Sequence, residues 1–246
     1  MYVEVGSQIR ITKPSPELLK WCKETLVLPN PEYAKKVRMH FWTGNTPQTL
    51  SLMEWDGGVL VLPYGCLLKV YKEFDLIFDC REESFVNPEY VDFGCDIPLY
   101  SYQRDAVDAL AKQRCGILQA PAGSGKTQMG LAVAARHRVK TLWLTHTADL
   151  LKQSKSRAEQ YMSPSLTGTI TEGKVKIGKA ITFATVQTMC KLDLSRYRDV
   201  WDCIIVDECH RVAGSPTSVT QFSKVLNALA ARHKYGLSAT VHRGMA

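Results

Sequence analysis

The 246-residue sequence has no run of about eighteen apolar residues, the length that a membrane-spanning helix needs. Its first residues, MYVEVGSQIR, lack the basic flank and apolar block of a secretory signal. The eight cysteines are scattered without a Cys-x-x-Cys pair, which argues against a zinc site and against a disulfide framework. We therefore expect a soluble protein with free, mostly buried thiols in a reducing cytoplasm.

The net charge of +7 is unevenly distributed. Residues 1–97 contain 10 Lys and Arg against 14 Asp and Glu, whereas residues 98–246 contain 21 against 10. The positive excess of the second part indicates a polyanionic partner, because basic side chains that contact phosphates release bound counterions. The alternative is a well-solvated surface without such a partner.

A change of composition near Pro98 predicts a domain boundary between a small α+β module, 1–97, and a larger domain, 98–246. In the module, apolar residues alternate with polar ones in some stretches, as in strands, and recur with a helical period in others. The tripeptide Asp56-Gly57-Gly58 is typical of a hairpin turn. The elements expected there are a strand over 2–12, a helix over 15–26, strands at 50–55 and 59–62, a helix over 63–74 and a strand at 76–78.

Beyond Pro98, helical stretches alternate with short apolar runs at 116–118, 141–144, 180–184, 203–206 and 235–237. Short apolar runs between helices are typical of buried parallel strands. We therefore predict an α/β domain with a mainly parallel sheet. Functional side chains in such sheets follow the carboxyl ends of the strands, and each motif below follows one of these runs.

The segment APAGSGKT at 120–127 lies between an apolar run and a helical stretch. Small residues let backbone N–H groups turn around an anion, while a lysine reaches the β- and γ-phosphates and a hydroxyl contacts Mg²⁺. Ala120 stands where the general pattern has Gly. The predicted phosphate-binding residues are Ala122, Gly123, Ser124, Gly125, Lys126 and Thr127. A glycine-rich loop without a ligand is the alternative.

A second motif places Asp207 and Glu208 directly after the apolar run at 203–206. Asp207 can hold Mg²⁺ through water, and Glu208 can orient and deprotonate the water that attacks the γ-phosphate. Alone, such a pair is usually a solvated strand end. Together with the phosphate loop it predicts an ATP and Mg²⁺ site in which Lys126 also takes part in catalysis.

Asp-Glu-Cys-His at 207–210 and Ser-Ala-Thr at 238–240 resemble the second and third motifs of superfamily 2 helicases of the DEAD/DEAH type. With the phosphate loop, residues 99–243 resemble the first RecA-like domain of these motors. The most similar groups are phage recombination and DNA-repair helicases and restriction-enzyme motors. The resemblance implies ATP hydrolysis coupled to movement on DNA, in the cytoplasm of a bacterial or phage-infected cell.

The same resemblance implies roles for single residues. Gln103 would read adenine, unless it is a surface helix residue. Thr147, Thr185 and Gln187 would contact the DNA backbone, unless they only cap helices or form turns. His210, Ser238 and Thr240 would couple the nucleotide state to movement, and His210 is a catalytic candidate with Lys126, Asp207 and Glu208.

Superfamily 2 motors use a second RecA-like domain, and residues 1–97 contain no phosphate loop or comparable series of motifs. We therefore expect the chain to be the ATP-binding half of a longer helicase. The alternatives are a regulatory module that binds ATP or DNA without turnover, and the motor part of a restriction system. The segment 30–68 faintly resembles the small amino-terminal module of phage-type repair helicases. The negative charge of residues 1–97 speaks against a broad DNA-binding face, and Trp42 and Trp55 are expected in the core. A nuclease module is not expected, because 75–83 lacks the lysine of a nuclease motif.

Overall fold

The computed structural model describes residues 2–74, 88–211 and 221–240. They form two compact units, with 2–74 in an amino-terminal unit and the other described residues in a larger one. Residues 88–97 belong to the larger unit, where the apolar side chains of Phe93 and Ile97 pack into its core. In the described part of the chain, no helix is both long and apolar enough to cross a membrane.

The amino-terminal unit is α+β, as predicted. Its strands are β1 (Tyr2–Val5), β2 (Gln8–Thr12), β3 (Val27–Pro29), β4 (Thr49–Ser51), β5 (Glu54–Asp56) and β6 (Val59–Pro63), and its helices are α1 (Pro16–Thr25), α2 (Pro31–Arg38) and α3 (Leu67–Glu73). An antiparallel sheet has the order β1-β2-β6-β5, and β3 pairs with β4 separately.

Capping and turn residues in the sequence set the ends of several of these elements. Ser15 begins α1 by accepting a hydrogen bond from the backbone N–H of Leu18 at 3.2 Å. The predicted hairpin turn is confirmed, because Gly57 and Gly58 adopt φ of 55° and 86° between β5 and β6. The prediction of one strand over 2–12 was wrong, since a tight turn between Val5 and Gln8 divides it into β1 and β2. The expected strand at 76–78 lies outside the described residues.

Residues 31–48 form an excursion between β3 and β4, which we call the arm. It consists of α2 and a following loop, and no residue of α2 is buried. Asn30 fixes its base: this residue is 1% exposed, its side-chain oxygen accepts from the N–H of Glu32 at 2.9 Å, and its side-chain nitrogen donates to the carbonyl of Pro47 at 2.6 Å. The arm is therefore an ordered, mostly exposed segment that contributes little to the core.

The larger unit has the predicted α/β architecture. Its strands are β7 (Cys115–Gln119), β8 (Thr141–Thr145), β9 (Thr167–Thr171), β10 (Lys174–Lys176), β11 (Ile181–Thr185), β12 (Cys203–Asp207) and β13 (His233–Ser238), and its helices are α4 (Ser101–Ala111), α5 (Lys126–His137), α6 (Ala148–Ala158), α7 (Val186–Met189) and α8 (Gln221–Ala228). The seven-stranded sheet has the order β10-β9-β11-β8-β12-β13-β7, and only β10 is antiparallel to its neighbour.

Gly130 lets α5 lie close to this sheet. A Cβ at this position would lie 2.8 Å from side-chain carbons of both Leu237 and Trp143. Glycine inside a helix costs roughly 1 kcal/mol relative to alanine, so here it serves packing at the expense of helix stability. The close contact fixes the position of the amino end of α5, where the phosphate loop is attached.

Candidate functional site

The phosphate loop connects β7 to α5 at the carboxyl edge of the sheet. Gly123 and Gly125 adopt φ of 80° and 83°, left-handed conformations that residues with a Cβ rarely take. Within the loop, the hydroxyl of Ser124 donates to the carbonyl of Pro121 at 2.7 Å. The turns and the amino end of α5 give the loop the geometry of an anion cradle.

Lys126 is the first residue of α5 and bends back over the loop. Its Nζ donates to the carbonyls of Ala120 and Pro121, each at 3.1 Å. Those two bonds hold the ammonium group at the mouth of the cradle, where phosphate oxygens can exchange for carbonyl oxygens as its partners. The loop thus forms although Ala120 replaces the usual glycine.

A cleft of about 800 Å³ opens beside the loop, within the size range of small-molecule sites. The phosphate loop and α5 line one side, and α6 lines the other. Seven of the predicted residues meet there, namely Ala122, Gly123, Gly125, Lys126, Thr127, Asp207 and Glu208. A hydroxyl and two carboxylates next to an ammonium group are the donor set that a magnesium nucleotide requires, so these residues fit ATP and Mg²⁺.

Asp207 is 7% exposed at the end of β12. One carboxylate oxygen accepts from the hydroxyl of Ser154 at 3.3 Å, and the other accepts from the backbone N–H of Glu208 at 3.1 Å. Burial, with a smaller contribution from Glu208, raises the pKa of Asp207, while Ser154 and Lys126 act in the opposite direction. A buried carboxylate whose charged form is stabilised by nearby positive charge is suited to hold a cation.

Glu208 has a φ of 53°, which is costly for a residue with a Cβ. This backbone turn directs its carboxylate to 3.3 Å from Nδ1 of His210. The same nitrogen lies 3.1 Å from Oγ of Ser238, whose hydroxyl donates to the carbonyl of Thr240 at 2.5 Å. Because the serine proton is used there and a carboxylate only accepts, Nδ1 of His210 carries the proton. The second and third motifs are therefore hydrogen-bonded to each other.

Gln103 is 2% exposed and braces the phosphate loop. Its Nε2 donates to the carbonyl of Ser124 at 2.9 Å, and its Oε1 accepts from the backbone N–H of Tyr100 at 2.9 Å. Among the described residues, one N–H and one lone pair of the amide have no partner. Nearby, the exposed rings of Tyr100 and Tyr102 stack with centroids 6.0 Å apart, and the Tyr102 hydroxyl also donates to Ser124.

The three predicted DNA contacts differ in their surroundings. Thr147 is exposed at the start of α6 and accepts from the N–H of Leu150 at 3.3 Å. Gln187 is half-buried and donates to the carbonyl of His146 at 2.6 Å, linking the ends of β8 and β11. Thr185 is only 5% exposed and its hydroxyl donates to Thr188, so the structure does not present it to solvent.

Two features escaped the sequence analysis. Ser154 was overlooked because a serine inside an amphipathic helix gives no signal by itself. The expectation that Trp42 and Trp55 are core residues was wrong, since their exposed fractions are 88% and 55%. The absence of an apolar period around Trp42 and the basic residues before it were the available signal. The segment 75–83, in which a nuclease motif was sought, lies outside the described residues.

A mainly parallel sheet with a phosphate loop, an adjacent Asp-Glu pair whose aspartate is buried and a linked Ser-Ala-Thr segment defines a nucleotide-binding P-loop domain. Residues 96–243 match the family described as "Type III restriction enzyme, res subunit". The chain belongs to this family. The predicted resemblance to the first RecA-like domain of superfamily 2 helicases is thereby confirmed.

Individual relatives agree with this assignment. The DNA 3'-5' translocase XPB2 of Sulfurisphaera tokodaii is 30% identical over 149 residues, which are 60% of this chain and 32% of that protein. The putative DNA 3'-5' helicase Rad25 of Halobacterium salinarum is 34% identical over 170 residues, which are 66% of this chain and 26% of that protein. The chain thus spans about a third or less of these relatives' length.

Among solved structures, the UvsW helicase of bacteriophage T4 has a similar fold, with a TM-score of 0.71 at 20% identity. The alignment covers 99% of this chain and 93% of that chain. The likeness in fold therefore includes residues of the amino-terminal unit, which lie outside the family match.

Proposed function

We propose that this chain is the ATP-binding half of an ATP-driven DNA helicase or translocase. The observation that carries the proposal is the convergence of Lys126, Asp207 and Glu208 on one cleft, with His210 and Ser238 bonded behind them. An isolated nucleotide-binding site needs only the first three. The hydrogen-bonded link to the Ser-Ala-Thr segment supports a motor, because it offers a route from the nucleotide to the rest of the domain.

ATP is the proposed substrate and Mg²⁺ the proposed metal. Gly123, Gly125 and Lys126 would hold the phosphates, and Thr127 and Asp207 would hold the metal, which supplies charge neutralisation during phosphoryl transfer. Glu208 would orient the attacking water and accept its proton. We also propose a second RecA-like domain in the complete protein, consistent with the share of its relatives' length that this chain spans.

DNA is the proposed partner of the carboxyl edge of the larger sheet. Thr147 and Gln187 lie at the ends of β8 and β11, two neighbouring parallel strands on that edge. Short hydroxyl and amide side chains suit phosphate contacts, which position a protein without reading sequence. The positive excess of residues 98–246 supports such binding. Thr185 would join them only if α7 moved.

The arm is a proposed second contact with nucleic acid. It exposes Met39, Phe41 and Trp42, which follow the exposed basic residues Lys35 and Arg38 closely in sequence. Neither basic residue forms an ion pair among the described residues. Exposed rings next to basic side chains are the combination that binds single strands by stacking and charge. The acidic excess of residues 1–97 does not argue against DNA binding by the arm, because it comes from a different segment. Residues 75–97 contain 7 Asp and Glu against 1 Arg.

The function is tested by measuring ATP hydrolysis with and without DNA for the protein at its natural length. We expect DNA to stimulate hydrolysis, and Lys126→Ala to abolish both nucleotide binding and turnover. Lys174→Ala, on the exposed strand β10, is the matched control and should behave as wild type. ATP binding without any DNA-stimulated hydrolysis would favour the regulatory alternative. Normal ATP binding by Lys126→Ala would refute the phosphate-loop assignment.

A further inference from the structure

Helix α6 connects a proposed DNA contact to the proposed metal ligand. Thr147 caps its amino end through the N–H of Leu150. Two turns further along, Ser154 is 3% exposed, and its Oγ donates to Oδ2 of Asp207 at 3.3 Å. One regular helix thus carries the exposed threonine at one end and a hydroxyl bonded to Asp207 near the other.

The serine stands at a position where the helix otherwise buries apolar groups. Its neighbours on the same face, Leu151 and Ala158, are 2% and 0% exposed. A hydroxyl buried without a partner costs about 1–3 kcal/mol, and serines inside helices commonly bond to the preceding turn. Here the recorded partner of Ser154 is Asp207. An alanine would pack equally well, so packing does not explain the hydroxyl.

The hydrogen bond from Ser154 helps to fix the orientation of the Asp207 carboxylate. The other recorded bond to this carboxylate comes from the neighbouring backbone N–H. Within the described ranges, Oδ1 of Asp207 accepts from the N–H of the next residue, Glu208, whereas Oδ2 accepts from Ser154 on a different element, α6. Each carboxylate oxygen keeps a free lone pair for a metal-bound water. The rotation of the Asp207 carboxylate is therefore set by the position of α6.

We propose that Ser154 is a positioning residue that transmits DNA binding at the start of α6 to the metal-holding carboxylate of Asp207. The proposal rests on the proposed function, because it requires both DNA at Thr147 and Mg²⁺ at Asp207. The hydroxyl of Thr147 can donate to a phosphate while still accepting from Leu150, so DNA can bind without uncapping the helix. Because its backbone bonds are internal, α6 moves as one piece, and a shift at its amino end changes the bond between Ser154 and Asp207.

The test measures how much Mg²⁺ is needed for binding of a fluorescent ATP analogue, with and without DNA, in wild type and Ser154→Ala. Loss of a partner that orients a metal ligand typically lowers metal affinity tenfold or more. We expect DNA to lower the Mg²⁺ requirement of wild type. In Ser154→Ala the requirement should rise about tenfold and become independent of DNA, while nucleotide binding without Mg²⁺ stays unchanged. Ser154→Thr, which keeps the hydroxyl, should restore the response to DNA.

Ser195→Ala is the matched control, because Ser195 also donates to an aspartate, Asp193, at 2.6 Å but at the surface and away from the cleft. It should behave as wild type. A Ser154→Ala protein with the wild-type Mg²⁺ requirement and DNA response would overturn the proposal. If DNA changes neither the Mg²⁺ requirement nor the rate of hydrolysis of the wild-type protein, the proposed function itself is refuted. Thermal unfolding of each variant shows whether it is folded.

Discussion

The amide of Gln103 donates to the carbonyl of Ser124 at 2.9 Å, so a helix that precedes β7 holds the phosphate loop in place. A Cβ at Gly125 would lie 2.5 Å from the same amide nitrogen. The glutamine therefore fits against the loop at a point where only glycine leaves room. The adenine contact predicted for Gln103 is compatible with this bracing role, since half of the amide's hydrogen-bonding capacity is unused.

Replacing Gln103 by alanine separates the two roles. We expect Gln103→Ala to lower the affinity for GTP about tenfold, because the loop loses its brace whichever base is bound. The affinity for ATP should fall further, because the adenine contact is lost as well. Equilibrium binding of both nucleotides is the measurement, with the exposed Gln113→Ala as control. Unchanged GTP binding would contradict the brace, and equal losses would contradict the adenine contact.

The Glu208→Gln variant should bind ATP and Mg²⁺ but hydrolyse ATP at least 100-fold more slowly, as expected for loss of a general base. The amide keeps an oxygen that can accept from His210, so the link to Ser238 should survive. Binding and single-turnover hydrolysis are measured on the same preparation. Glu172→Gln is a close control, because Glu172 also adopts a left-handed backbone, with φ of 52°, but lies in an exposed turn. Wild-type turnover by Glu208→Gln would remove Glu208 from the chemistry.

Stability should fall with acidification because of His233. Burial, then the neighbouring His137, lowers the pKa of His233 from 6.5 to about 4, and the two rings stack 3.9 Å apart. Between these values the unfolded chain takes up a proton that the folded one does not, so stability present above pH 6.5 is lost as the pH falls toward 4. We expect a loss of roughly 1–2 kcal/mol between pH 7.5 and 5 from this group.

Urea unfolding at the two pH values measures this loss. In His233→Asn the loss in free energy of unfolding between the two pH values should be smaller by the contribution of His233. The control His40→Asn, at an exposed histidine, should show the same loss as wild type. An equally steep dependence in His233→Asn would show that other groups cause the acid sensitivity.

Trp42 should contribute to binding of single-stranded DNA. Stacking of one base on an aromatic ring is worth about 1–3 kcal/mol, so Trp42→Ala should weaken binding about tenfold with little change in salt dependence. Lys35→Ala should instead reduce the slope of log K against log salt by about 0.7. Trp55→Ala, at an exposed tryptophan outside the arm, is the control. If Trp42→Ala binds as wild type at every salt concentration, the arm is not a stacking surface.

The sequence predicted those parts of the molecule that depend on local chemistry. Buried parallel strands such as β8 and β12 have apolar centres, and the motifs lie at or just beyond their carboxyl ends. Strand β9 was missed because Thr167, Thr169 and Thr171 break the apolar pattern. This strand is formed by pairing with β11, a partner that only the folded chain supplies.

Orientation of individual side chains was harder to predict. Thr185 is the last residue of β11, and its hydroxyl bonds to Thr188 rather than facing solvent. Ser154 and Asp207 are 53 positions apart, and only the packing of α6 brings them together. Trp42 is large and apolar, but its ring rests against the backbone of Gly44, where a Cβ would lie 2.9 Å from it, instead of entering the core.

Gly130 is a position where one added methyl group is expected to disturb the nucleotide site from a distance. A methyl group there would lie 2.8 Å from side-chain carbons of Trp143 and Leu237, and we expect α5 to lift away from the sheet because the buried Trp143 ring has little room to move. Because the same helix begins with Lys126, a lift moves the ammonium group away from Asp207 on the sheet below, although position 130 touches neither. Gly130→Ala also gains intrinsic helix stability, so the chain should still fold. The expected phenotype is a conditional allele: a protein that accumulates normally but whose nucleotide chemistry fails on warming.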